Sequence, residues 1–100
     1  MTPADPQFQS VVNEGTIKFV VTQEGQLLVT PQYVQSTEIS HAFLSGGRGV
    51  VTAGQAEISA VNGRFFGIRI TEHSGHFMPS QQSLQIAREL FERYGITFPR

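Results

Sequence analysis

His73-Ser74-Gly75-His76 sets two imidazoles three positions apart around a glycine. Imidazoles exchange protons near neutral pH, and glycine lets the backbone turn tightly enough for both to flank one bound group. The segment runs through Pro79 to Ser80, a good N-cap for the helix pattern that follows. Where a strand gives way to a helix, free backbone N–H groups and the positive end of the helix dipole favour an anion such as phosphate, and Ser80 and Ser83 add hydroxyls. An acid, a base and N–H or cationic donors are the inventory that cleavage of RNA by its own ribose 2′-hydroxyl requires. His76, His41 and His73 are the candidate proton carriers, and Arg48, Arg69, Ser74 and Ser80 the candidate phosphate ligands. This reading requires no metal and no cofactor.

Other chemistries use the same residues. His73 and His76 have the spacing of a zinc-ligand pair, with His41 or Glu72 as a third ligand, but a pair in a turn is a weaker pattern than one on a helix face. Ser74 beside Gly75 lacks the G-x-S-x-G pattern of a nucleophile elbow. Ser45-Gly46-Gly47-Arg48-Gly49 lacks the lysine of a P-loop and reads as a connecting loop. A purely structural role is also open to each histidine, as a donor to a carbonyl, and to Ser80, as a cap.

The chain has 100 residues, which fits one modest core. No cysteine is present, so disulfides, cysteine nucleophiles and thiolate metal sites are excluded. A formal net charge of −1 removes the overall basic footprint of sequence-independent duplex binders, although six of the seven cations are arginines suited to bidentate phosphate contact. Apolar runs such as Phe19-Val20-Val21 are too short to span a bilayer, so no membrane partner is expected.

The elements that must position these residues follow from patterning. Residues 1–10 hold Pro3 and Pro6 and read as a flexible leader, with one α+β domain over 11–100. A hairpin is predicted from strands over 16–22 and 27–30 around Gln23-Glu24-Gly25-Gln26, with Pro31 ending the second. Thr37 reads as the cap of a short helix over 37–44. Strands follow over 50–52, 55–60 and 64–71, the last two joined by Asn62-Gly63, the dipeptide suited to a type I′ turn. In the last strand Phe66, Ile68 and Ile70 alternate with Gly67, Arg69 and Thr71, which predicts the three apolar residues on one inward face. A helix is predicted from about 81 to 94, with Leu84, Ala87, Leu90, Phe91 and Tyr94 as its stripe and Gly95-Ile96 as a Schellman end. The fold class is therefore α+β: an antiparallel sheet of about four to five strands packed against one C-terminal helix. The oligomeric state stays open.

From residue 38 to 98 the chain resembles the C-terminal effector domains of bacterial polymorphic toxins, the cargo of contact-dependent inhibition and Rhs-type systems. The resemblance rests on Ile39-Ser40-His41-Ala42-Phe43-Leu44, Ala53-Gly54-Gln55-Ala56, and Ser74-Gly75-His76-Phe77 with Pro79-Ser80. It implies a toxin domain delivered as part of a larger protein into the target-cell cytoplasm, with RNA as substrate and a cognate immunity protein as partner. Many such effectors are metal-independent ribonucleases of the group that includes barnase, EndoU, the tRNase colicins and RelE. That parallel implies His76 and His41 as acid and base, His73 assisting, and Arg48 or Arg69 on the phosphate. Those folds commonly end in strands, whereas this pattern ends in a helix. NAD consumption and zinc-dependent catalysis are the alternative activities, and a non-catalytic protein-binding module is the alternative of another class.

Overall fold

The structure, a computed structural model, describes residues 1–31, 33–34, 37–38, 49–72 and 81–99. Helix α1 (Phe8–Asn13) precedes strands β1 (Ile17–Thr22), β2 (Leu27–Pro31), β3 (Tyr33–Val34), β4 (Thr37–Glu38), β5 (Val50–Val61) and β6 (Arg64–Glu72), and helix α2 (Gln81–Arg93) follows them. Four strands form an antiparallel sheet in the order β2-β1-β5-β6, while β3 and β4 pair separately. The α+β architecture expected from the sequence is the one found.

Both hairpins of the four-stranded sheet close as their turn residues dictate. Thr22 N–H donates to Gln26 O at 2.9 Å and Thr22 Oγ1 accepts Gln26 N–H at 3.1 Å, with Gly25 at φ +83° between them. At the β5–β6 turn Asn62 and Gly63 take φ of 52° and 79°, the left-handed pair of a type I′ turn.

One face of the sheet carries the core. Phe19, Val21 and Ile17 of β1, Leu27 and Val29 of β2, Ala56 and Ile58 of β5 and Ile70 of β6 meet Ala87 and Phe91 of α2 and Phe8, Val11 and Val12 of α1. Phe91 lies edge-on to Phe19 at 5.5 Å and to Phe98 at 5.2 Å, so sheet, helix and C-terminal segment interlock through three rings. Helix α2 ends as a Schellman motif: Ile96 N–H donates to Phe91 O at 3.1 Å and Gly95 N–H to Glu92 O at 2.9 Å, with Gly95 at φ +82°. The segment beyond is then held by Gly67 N–H to Thr97 O at 3.2 Å and by Arg88 Nη1 to Pro99 O at 3.0 Å.

Five expectations need correction. Residues 1–10 are not a free leader: Val29 N–H donates to Met1 O at 2.7 Å, Pro3 is buried, and Phe8 sits in the core edge-on to Phe65. Phe8, Val11 and Val12 share one helix face at i, i+3, i+4, and their burial outweighs the prolines before them. Thr37 does not cap a helix; Thr37 and Glu38 pair with Val34 and Tyr33, and residues 39–44 lie outside the described residues. The strands expected at 50–52 and 55–60 form the single strand β5, because Gly54 packs where two neighbours crowd it. The alternation in β6 slips, because Glu57 pairs with Arg69 while Ile58 pairs with Gly67, leaving Ile68 as an extra bulge residue. Ile70 and Phe65 therefore face the core, whereas Phe66 and Ile68 are 52% and 53% exposed. Tyr94, expected in the apolar stripe, is 39% exposed because the helix stops at Arg93 and the chain turns away.

Candidate functional site

The face of the sheet opposite the helices changes character along its length. At its centre Val20 and Ala53 are buried, and Lys18 is only 5% exposed, so this part is covered. Toward β6 it opens. The register places Gln55 opposite Thr71, Glu57 opposite Arg69, Ser59 opposite Phe66 and Val61 opposite Arg64, all on this face because their neighbours Ala56, Ile58 and Ala60 serve the core.

Thr16, Gln55, Ala56, Glu57, Arg69 and Thr71 line a shallow cleft of about 140 Å³ there. Arg69 is exposed, while Thr16, Gln55, Glu57 and Thr71 are half-buried. Thr71 Oγ1 donates to Gln55 O at 3.5 Å across the strand pair. The bulge at Ile68 is what aligns Arg69 with Glu57; bulges commonly re-aim a side chain in this way. The cleft offers a planar guanidinium fork, two hydroxyls and an amide for an oxyanion, with one carboxylate able to hold the guanidinium or take a proton. Because that carboxylate offsets the arginine's charge, anion binding here rests on hydrogen bonds more than on net attraction.

Of the residues singled out in the sequence, Arg69 lies in this cleft. His41, Arg48, His73, Ser74, His76 and Ser80 lie outside the described residues. The elements that bracket them are described: β4 ends at Glu38 and β5 starts at Val50, and β6 ends at Glu72 before α2 starts at Gln81. Glu72 pairs with Gly54, so the chain enters β5 and leaves β6 at the same end of the sheet, the end away from the Asn62-Gly63 turn. The cleft lies beside that end, with Thr71 one residue and Arg69 three residues before Glu72.

Glu57, Gln55, Thr71 and Thr16 are not among the site residues expected from the sequence, although Gln55 and Thr71 fall within patterns described there. Their signal was the polar alternation Gln55, Glu57, Ser59 against Ala56, Ile58, Ala60, which marks a strand with one open face. Among the described residues no three histidine, aspartate or glutamate side chains gather as a metal site, and no helix is long and apolar enough to cross a membrane. The ligands of the zinc alternative, His41, His73, His76 and the Glu72 side chain, are not among those described. Compared with protein-family models, curated proteins and solved structures, the chain matches none of them.

Proposed function

We propose that the chain is a toxin-type effector domain that cleaves RNA without a metal. The observation that carries this reading is the cleft that sets Arg69 opposite Glu57 on the open sheet face, its last lining residue, Thr71, two positions before the chain runs on into His73-Ser74-Gly75-His76. In this reading Arg69, with Arg48, Ser74 and Ser80, holds the scissile phosphate, and Glu57 is a positioning residue that fixes the guanidinium. His41 removes the proton from the 2′-hydroxyl, whose oxygen bonds to phosphorus as the bond to the 5′-oxygen breaks. His76 protonates that leaving oxygen, and His73 assists. The products are a 2′,3′-cyclic phosphate and a 5′-hydroxyl end. A cognate immunity protein with an acidic surface would suit Arg64 and Arg69, both exposed on one face of β6. Delivery as part of a larger protein into the target-cell cytoplasm belongs to the same reading.

The test is inducible expression in bacteria with RNA integrity, NAD content and viability followed together. Degraded RNA with NAD intact, abolished by His76→Ala and reduced by Arg69→Ala, supports the reading. NAD depletion with RNA intact refutes it. A second reading, a non-catalytic docking module, draws on Val61, Phe66 and Ile68, which are 50%, 52% and 53% exposed along the β5–β6 hairpin. It predicts that neither RNA nor NAD changes.

A further inference from the structure

A second cavity lies at the opposite end of the hairpin from the cleft. Gly63, Arg64, Phe65 and Phe66 of the hairpin and Tyr94, Gly95 and Thr97 beyond α2 line a groove of about 520 Å³, within the range of pockets that hold small organic ligands. Its two exposed rings have no part in the core: Phe66 was turned outward by the bulge, and Tyr94 falls beyond the helix stripe. Gly63 and Gly95 both have positive φ, and a β-carbon at either would meet open space, so part of the wall is bare backbone accessible to a flat ligand. Arg64 adds a cation, whereas the C-terminal end of α2 carries the negative end of its dipole; an anion therefore belongs on the Arg64 side. Along the open face of β6 the order from turn to strand end is Arg64, Phe66, Arg69, Thr71. Cations interleaved with an aromatic are how proteins track single-stranded nucleic acid, because every base has a face to stack and every linkage a charge.

We infer that a single-stranded RNA runs along the open face of β6 and over the strand's outer edge, with one base stacked on Phe66, a second on Tyr94 across the groove, and the adjoining phosphate on Arg64. The inference rests on the proposed ribonuclease reading and adds a base-binding subsite to it. Arg69 lies five strand steps beyond Arg64, a span of roughly 15 Å at ~3.3 Å per step with one bulged residue, which a short oligonucleotide bridges. The subsite tolerates any base, since stacking selects little by sequence.

The test is fluorescence anisotropy of the full chain with a short single-stranded oligonucleotide carrying 2′-O-methyl groups, which cannot supply the attacking hydroxyl. Phe66→Ala and Tyr94→Ala each weaken binding about tenfold or more, and Tyr94→Phe restores most of the affinity, since stacking needs the ring and not the hydroxyl. Arg64→Ala lowers the slope of log affinity against log salt by about 0.7, the value for one phosphate on a single strand. Both aromatic positions are exposed, so the variants melt with the wild type. Undiminished binding by Phe66→Ala and Tyr94→Ala overturns the inference, as does binding of an acidic protein but of no single-stranded RNA. Cleavage of unmodified RNA, measured in parallel, separates the two claims. Wild-type cleavage with ring-independent binding sinks the subsite alone, and ring-dependent binding without cleavage sinks the ribonuclease reading alone.

Discussion

Replacing Gly54 by alanine tests whether close approach of three strands holds the cleft together. A β-carbon built on Gly54 collides with the backbone carbonyl oxygen of Thr71 and lies 3.0 Å from two ring carbons of Phe19. Neither neighbour yields easily: Phe19 is fully buried, and Thr71 is held in the β5–β6 ladder. Overpacking in a well-filled core costs typically about 1–3 kcal/mol. Because the main obstacle is backbone, Gly54→Ala falls at or above the top of that range, about 3 kcal/mol. At ~4–8 °C per kcal/mol for a domain of this size, the melting temperature drops by roughly 12–24 °C. Gly63→Ala is the control, for its β-carbon meets open space and only the left-handed φ of 79° is strained, which costs about 1–2 kcal/mol. The assay is thermal unfolding by circular dichroism, with phosphate or oligonucleotide binding measured well below the melt. Since Thr71 lines the cleft, Gly54→Ala should also weaken oligonucleotide binding while still folded. A Gly54→Ala protein that melts within about 2 °C of wild type, or less perturbed than Gly63→Ala, refutes the close-approach reasoning.

Three further outcomes follow from the same contacts. Phe91→Ala removes a fully buried ring that meets both Phe19 and Phe98, and urea unfolding should show a loss of about 3–5 kcal/mol, a large share of the stability of any small domain. Gly95→Ala forces a β-carbon into the left-handed C′ position and should cost about 1 kcal/mol in the same assay, more than an alanine placed at exposed Glu92. Glu57→Gln removes a negative charge beside Arg69, so an uncleavable oligonucleotide should bind more tightly while turnover falls. Equal loss of binding and turnover would contradict the positioning role.

The parts of this fold legible in the sequence are those fixed by local chemistry. Asn62-Gly63 and Gly95 announce positive φ, and the Leu84, Ala87, Leu90, Phe91 spacing announces a helix face; each is found in place. What was hidden depends on partners distant in the chain. The slip at Ile68 arises only in pairing with β5, so the regular alternation of Phe66, Ile68 and Ile70 misleads. Gly54 reads as a break but serves as space for Phe19 and Thr71. The buried face of α1 is present in the sequence as Phe8, Val11 and Val12, but Pro3 and Pro6 before it have the composition of a leader, and only packing against the distant sheet decides between the two. At the candidate site Arg69 was legible from its type, whereas Glu57 gains meaning only from lying opposite it.

We propose that this chain cleaves RNA through the ribose 2′-hydroxyl with Arg69 on the phosphate. The direct measurement is mass spectrometry of the ends produced when purified chain acts on a defined RNA in the presence of a chelator, alongside the Arg69→Ala and His76→Ala variants. The expected products are 2′,3′-cyclic phosphate and 5′-hydroxyl ends, formed at a rate lowered about 10²-fold or more by either substitution. Intact RNA, or 3′-hydroxyl and 5′-phosphate ends, would contradict it.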